Sequence, residues 1–149
     1  MATIELHPDF KDFLRLLNSH KVKYLLVGGY AVGYHGFPRA TGDMDIWIEM
    51  SEANSKKVVS AFREFGMSDE TFSEKLFLEK NKVIRIGLPP VRIEVITSAS
   101  GVDFNECYSN RAEIEIDGIL IHFISLQDLK KNKKAAGRYK DKEDLEHLP

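Results

Sequence analysis

Two aspartates separated by one residue are the first feature of the sequence that points to chemistry. Asp43 and Asp45 begin the segment DMDIWIE, in which polar and apolar residues alternate. Alternation with a period of two is typical of a half-buried strand and places the two aspartates on the same face. Neighbouring carboxylates repel each other, and a divalent cation removes that cost. Because hard cations prefer oxygen ligands, the pair predicts a site for Mg²⁺ or Mn²⁺.

A pair of glycines precedes the aspartates. Gly28 and Gly29 follow the short apolar run 24–27 and come immediately before residues with helical spacing. Backbone N–H groups at a helix N-terminus favour an anion, so the turn predicts a contact with phosphate. A plain tight turn is the alternative interpretation. The sequence lacks the Gly-Lys-Ser/Thr of a Walker A loop and the three-glycine spacing of a dinucleotide site.

The order of these features resembles the nucleotidyltransferase superfamily, whose core is shared with DNA polymerase β. The family pattern is a glycine pair, a short helix, Asp-x-Asp on the next strand and a third acidic residue on a later strand. The glycine pair and DMD match this pattern, and Glu94 stands at the third acidic position. The segment PRATGDMDI is most similar to small bacterial members related to the AbiEii-type toxin proteins. The resemblance implies transfer of NMP from an NTP, such as ATP, to a hydroxyl group with release of pyrophosphate.

The resemblance also implies roles for individual residues. Asp43, Asp45 and Glu94 are expected to be the catalytic residues and the metal ligands, with Glu94 helping to deprotonate the acceptor. An ion pair between Glu94 and Arg92 is the structural alternative for that strand. The expected nucleotide-binding residues are Gly28, Gly29, Arg39, Thr41, Lys133 and Arg138. For the basic residues near the C-terminus, a solvated helix with Lys–Asp pairs is the alternative.

Helical and strand patterns alternate along the chain. Strands are predicted at 24–27, 43–49, 83–86 and 92–97, with a hairpin of 112–116 and 119–124 around Asp117-Gly118. Helices are predicted after His7, from Ser51 or Glu52, and around Phe72–Phe77. Two more are predicted near the C-terminus, one from an N-cap at Ser125 to Ala136, where Gly137 interrupts it, and one from Tyr139 to Leu148. This order predicts an α/β (α+β) domain over residues 1–149. The resemblance implies the nucleotidyltransferase fold, a mixed β-sheet flanked by helices, with C-terminal helices.

Composition limits the possible classes of protein. Hydrophobic residues make up 43% and charged residues 30% of the 149 residues, as in ordinary globular domains. The net charge of -2 gives no general basic field for nucleic acid or membrane. No apolar run approaches the roughly 20 residues of a membrane span, and the N-terminus lacks a signal-peptide pattern. With Cys107 as the only cysteine, these features predict a cytoplasmic protein without membrane contact.

Two classes of function are compatible with these sequence features. The first is an active nucleotidyltransferase whose acceptor is RNA, such as tRNA, or a protein. The resemblance places such an enzyme in a toxin–antitoxin or phage-defence system, with a cognate partner protein. The second is a catalytically weak nucleotide- or RNA-binding module that regulates a partner. A phosphatase or nuclease with paired carboxylates fits less well, because it does not use the glycine turn.

Overall fold

A six-stranded mixed β-sheet forms the centre of the computed structural model, which describes residues 5–149. The strands are β1 (Tyr24–Val27), β2 (Asp43–Ile48), β3 (Val83–Leu88), β4 (Val91–Ile96), β5 (Ala112–Ile116) and β6 (Ile119–Phe123). Their order across the sheet is β3-β4-β2-β1-β6-β5. β2 pairs with β4 in parallel and with β1 antiparallel, so the strand that carries both aspartates lies inside the sheet.

Six α-helices flank this sheet in the described part of the chain. They are α1 (Pro8–Ser19), α2 (Gly28–Tyr34), α3 (Glu52–Glu64), α4 (Phe104–Ser109), α5 (Leu126–Ala136) and α6 (Tyr139–His147). The hydroxyls of Ser51 and Ser125 cap α3 and α5 by accepting backbone N–H bonds, and Gly137 ends α5 with φ 62. None of these helices combines the length and the apolarity that a bilayer span requires.

The hydrophobic core covers the face of β2 opposite the aspartates. Met44 and Ile46 are fully buried there, in one cluster with Phe10, Phe13 and Phe62. The rings of Phe13 on α1 and Phe62 on α3 meet edge to face, with centroids 5.7 Å apart. Each such side chain contributes about 1.5–3 kcal/mol when fully buried. Burial of this face fixes which way Asp43 and Asp45 point.

The structure confirms the predicted fold class, with a mixed sheet, flanking helices and two C-terminal helices. The predicted hairpin is present, and Asp117 and Gly118 adopt φ 51 and 78 as a tight hairpin turn requires. The prediction of a helix around Phe72–Phe77 is wrong, since only a 3₁₀ turn forms there, at Leu76–Leu78. The Asp69 carboxylate instead accepts hydrogen bonds from the backbone and hydroxyl of Thr71, which compete with helical bonding. A single domain over 1–149 stays a prediction, with residues 1–4 outside the described part.

Candidate functional site

The register between β2 and β4 brings the three predicted acidic residues together. Asp45 is paired with Glu94, and Asp43 is paired with Arg92. Directly paired residues of neighbouring strands project from the same face of a sheet. One carboxylate oxygen from each of Asp43, Asp45 and Glu94 lies within 4.8 Å of the other two. Three oxygen ligands at this spacing fit a divalent cation such as Mg²⁺.

Arginines on the neighbouring strands neutralise two of these carboxylates. Arg92 donates two hydrogen bonds to Asp43, from Nε to Oδ1 at 2.6 Å and from Nη2 to Oδ2 at 3.0 Å. The Nε of Arg85 lies 3.0 Å from Glu94 Oε1, and Arg92 Nη2 lies 3.3 Å from the same oxygen. The hydrogen bonds from Arg92 hold the pKa of Asp43 below its ordinary value. The ion pair expected as the structural alternative for Glu94 is therefore present, and Asp43 has a cationic partner that β2 alone does not reveal.

Asp45 has no such partner in the described chain. Its Oδ1 is buried and makes no hydrogen bond to any described residue. Burial, followed by the negative charges of Glu94 and Asp43, raises the pKa of Asp45 to about 7. A buried acceptor without a donor typically costs about 1–3 kcal/mol. A cation bound between the three carboxylates would remove this cost.

The glycine pair makes room for functional side chains. Gly28 has φ +66, and a Cβ at this position would overlap Asp45 Oδ2. A Cβ at Gly29 would collide with the side chain of Thr41. The Thr41 hydroxyl in turn donates to the backbone oxygen of Asp43 at 3.1 Å and fixes the start of β2. Close packing around Asp45 and Thr41 therefore requires both glycines.

A cavity of about 440 Å³ opens beside Asp45 and Glu94. Its other polar and basic walls are Gly28, Arg85, Ser98, Ser100, Asn132, Lys133 and Arg138. This volume lies within the range of about 300–1,000 Å³ that small-molecule sites occupy. Arg138 and Arg85 keep side chains that are 72% and 56% exposed, so both can reach an anionic ligand. The cavity therefore combines a carboxylate cluster with accessible positive charge.

A second charged cluster ties α6 to the rest of the fold. This α6 network consists of Arg39, Lys133, Arg138, Asp141 and Asp144, and the two aspartates and Lys133 are buried. Lys133 Nζ lies 3.1 Å from both Asp141 Oδ1 and Asp144 Oδ2. Arg39 donates to Asp144 at 2.8 and 2.9 Å, and Arg138 donates to Asp141 at 2.8 and 3.2 Å. Each buried aspartate thus has two cationic partners.

The pKa values of the two network aspartates reflect this pairing. Burial acts to raise the pKa of Asp144, but hydrogen bonds from Arg39 and Lys133 outweigh it and leave the pKa below its ordinary value. Burial likewise opposes the effect of Arg138 and Lys133 at Asp141, whose pKa is also lowered. Both carboxylates are therefore charged in the folded protein, in contrast to the raised pKa of Asp45.

The expected nucleotide-binding residues fall at two adjoining places. Gly28, Lys133 and Arg138 share the cavity with the carboxylates. Gly29, Arg39 and Thr41 line a neighbouring cavity of about 190 Å³. Arg39 does not reach the larger cavity, because its guanidinium is held by Asp144. Lys133 is buried rather than part of a solvated basic surface, which corrects the alternative interpretation for that residue.

Sequence reasoning missed Arg85 and Asp144 as neighbours of the site, and it missed the pairing of Arg92 with Asp43. Arg85 and Arg92 acquire their partners through the strand register, which no local pattern encodes. Asp144 lies three residues after Asp141, a spacing that puts both on one helical face. That spacing was a usable signal for the α6 network.

Comparison with known proteins supports the resemblance to nucleotidyltransferases. Residues 9–148 match the family described as "Nucleotidyltransferase of unknown function (DUF6036)". A solved structure from Thermotoga maritima, provisionally named a nucleotidyltransferase, superposes with a TM-score of 0.62 at 17% identity, covering 95% of this chain and 93% of that chain. At this identity the likeness shows the fold alone. No curated protein sequence gives a significant match. The relation to AbiEii-type toxin proteins stays a prediction.

Proposed function

The chain belongs to this family of nucleotidyltransferases of unknown function, and we propose that it transfers NMP from an NTP to an acceptor hydroxyl with the help of a divalent cation. The observation that carries the proposal is the convergence of Asp43, Asp45 and Glu94 within 4.8 Å beside a cavity with basic walls. The buried, unpartnered Oδ1 of Asp45 supports the cation in particular. Mg²⁺ or Mn²⁺ bound there supplies charge stabilisation for the phosphate oxygens.

The chain's own residues orient the reactants and receive the proton. The acceptor oxygen forms a bond to the α-phosphorus of the NTP, while the bond from that phosphorus to pyrophosphate breaks. We assign the acceptor proton to Glu94, which is 17% exposed at the cavity wall. Arg138 and Arg85 face the same cavity with exposed guanidinium groups, and we assign them to the triphosphate. Lys133 adds positive charge at the cavity wall, where Asp141 and Asp144 fix its position.

We propose RNA as the acceptor. Arg138 at the cavity continues into Tyr139, which is 89% exposed, and then into the exposed Lys140. Arg138 lines the cavity together with Asp45 and Glu94, so this basic start of α6 leads away from the acidic residues along the surface. An exposed aromatic ring between cations suits a nucleotide of single-stranded RNA. Its base can stack on the ring, and its phosphates can form ion pairs with the cations. A protein acceptor, and a toxin–antitoxin or phage-defence role with a cognate partner protein, rest on the resemblance alone.

The test compares wild type with Glu94→Gln. Each labelled NTP is incubated with Mg²⁺ or Mn²⁺ and with total tRNA or a protein fraction. Wild type should label RNA and release pyrophosphate. Glu94→Gln should keep its fold and NTP binding, and should lose turnover by about 10²-fold or more, as expected for a removed general base. The lost pair with the exposed Arg85 contributes little to stability, about 0–1 kcal/mol. Arg92 also loses its contact with Glu94 but keeps both hydrogen bonds to Asp43.

A matched control separates catalysis from the loss of an ion pair. Glu113 is 39% exposed and pairs with Arg111. It lies on β5, at the opposite edge of the sheet from β4, so Glu113→Gln should leave turnover unchanged. Equal rates for Glu94→Gln and wild type would contradict the role of Glu94. If wild type binds NTP but labels no product, the regulatory binding module is favoured. If it labels protein but not RNA, the acceptor is a protein and the proposed RNA acceptor is wrong.

A further inference from the structure

Arg92 forms a bidentate ion pair with Asp43. Both carboxylate oxygens of Asp43 accept from the guanidinium, at 2.6 and 3.0 Å. The register of β2 and β4 keeps Asp43 and Arg92 directly opposite each other in the sheet. Two parallel bonds of this kind form the strongest charge-assisted arrangement available to a carboxylate. A cation that takes an oxygen of Asp43 therefore competes directly with Arg92.

Displacement from Asp43 would leave Arg92 without an adequate partner. Glu94 is the next carboxylate, at 3.3 Å, but its same oxygen already accepts from Arg85 at 3.0 Å. The Arg92 side chain is only 28% exposed, so water compensates incompletely for a lost partner. Arg92 is not among the residues that line the cavity, but its Nη2 lies 3.3 Å from Glu94, which forms part of the cavity wall. A phosphate group bound beside Glu94 is an anion whose oxygens match a guanidinium fork. Cation binding and phosphate binding would then be linked through this one side chain.

We propose that Arg92 changes partners during substrate binding, from Asp43 in the metal-free protein to a phosphate group of the NTP when cation and nucleotide bind together. The proposal rests on the proposed function and adds a substrate-binding residue to it. The exchange makes the binding of cation and nucleotide cooperative. Each ligand raises the affinity of the other by the same factor, because coupling free energies are reciprocal. Cation alone binds weakly, since it leaves Arg92 with only the longer contact to Glu94, at 3.3 Å.

The alternative is that Arg92 holds Asp43 in every state and acts only as a structural partner. Calorimetric titration distinguishes the two. Wild type is titrated with Mn²⁺, with non-hydrolysable analogues of the four NTPs, and with Mn²⁺ in the presence of each analogue. Free concentrations are corrected for the cation–analogue complex. We expect the analogue that binds to raise the Mn²⁺ affinity at least about tenfold, within the usual range of coupling between sites.

Arg92→Gln should reverse this behaviour. Without the competing guanidinium, Mn²⁺ alone should bind about tenfold more tightly than in wild type, the analogue alone should bind more weakly, and the coupling should fall below about threefold. Arg111→Gln is the matched control, because Arg111 is 26% exposed and pairs with Glu113 at 2.7 Å. It should leave all three affinities unchanged. Arg92→Lys, which keeps the charge but loses the fork, should give intermediate coupling and covers the case in which the glutamine variant does not fold.

The outcomes separate this proposal from the proposed function. Wild-type Mn²⁺ affinity and wild-type coupling in Arg92→Gln and Arg92→Lys would overturn the exchange of partners and leave the nucleotidyltransferase proposal standing. Tighter Mn²⁺ binding with undiminished coupling would also overturn it, because the released Arg92 would then have no part in binding phosphate. Failure of wild type to bind either Mn²⁺ or any analogue would overturn both.

Discussion

The acidic triad of Asp43, Asp45 and Glu94 and the α6 network are two charged clusters built on opposite principles. In the α6 network, Asp141 and Asp144 are almost fully buried, yet each contacts two cations and has a lowered pKa. In the triad, Asp45 has a buried oxygen without a donor among the described residues and a pKa raised to about 7. The charges of the α6 network are balanced, whereas those of the triad, where we propose that a cation binds, are not. Perturbed carboxylates that lack a partner are the ones that point to function.

The balanced cluster also positions the unbalanced one. Lys133 on α5 and Arg39 before β2 meet on Asp144 of α6, so three separate segments join at one buried carboxylate. Lys133 and Arg138 of this network form part of the cavity wall beside Asp45. Breaking a buried pair by removing one partner typically costs about 3–5 kcal/mol, because the remaining charge stays buried. We therefore expect mutations in the α6 network to lower stability mainly, and to affect turnover only by moving Lys133 and Arg138 in the cavity wall.

The largest effect is expected for a substitution of Asp45, which tests the difference between the two clusters. Asp45→Asn removes a cation ligand but also relieves repulsion from Glu94 and Asp43, so turnover should fall about 10³-fold, equal to about 4 kcal/mol, while metal-free stability is kept or raised. Single-turnover rates and thermal melts measure the two quantities. The same change at the other cluster, Asp144→Asn, should lower stability. A stability loss at Asp45 as large as that at Asp144 would remove the distinction between the clusters.

The next effect concerns Lys133. Lys133→Met leaves Asp141 and Asp144 buried with fewer cations and should lower the free energy of unfolding by about 3 kcal/mol. For a chain of this size, that corresponds to a fall in Tm of roughly 6–12 °C. Lys131→Met on the same helix is the control, since its side chain is 68% exposed and should change stability by less than about 0.5 kcal/mol. Equal losses of unfolding free energy in the two variants would show that Lys133 contributes no more to stability than an ordinary surface lysine.

The smallest effect is a dependence of stability on pH. The pKa of Asp144 is below its ordinary value in the folded protein, so the unfolded chain takes up the proton first as pH falls. The stability that Asp144 contributes is therefore complete above about pH 5, beyond the ordinary pKa near 4, and is lost on further acidification. Urea unfolding between pH 3 and 7 should show wild type and Asp144→Asn converging as pH falls. A difference that stays constant with pH would exclude the charged form as the source of stability.

Local features of the fold were predictable from the sequence. The alternation in DMDIWIE, the Asp117-Gly118 turn, the helix start at Ser51 or Glu52, the cap at Ser125 and the stop at Gly137 all appear where expected. Each depends on backbone geometry and hydrogen bonding among adjacent residues, which a sequence pattern records directly. The same holds for the Asp pair, because residues two apart on a strand share a face.

Partnerships across the sheet and between distant segments were decided only by the tertiary structure. Arg92 reaches Asp43 because β4 lies beside β2 in one register, and Arg39 reaches Asp144 across 105 positions of the chain. Shifting a strand by one residue turns its side chains to the other face, so the register follows from burying the apolar face that includes Met44 and Ile46. The sequence by itself therefore identified which residues carry the charge, whereas packing of the whole core decided which charges became paired and left Asp45 without a partner in the described chain.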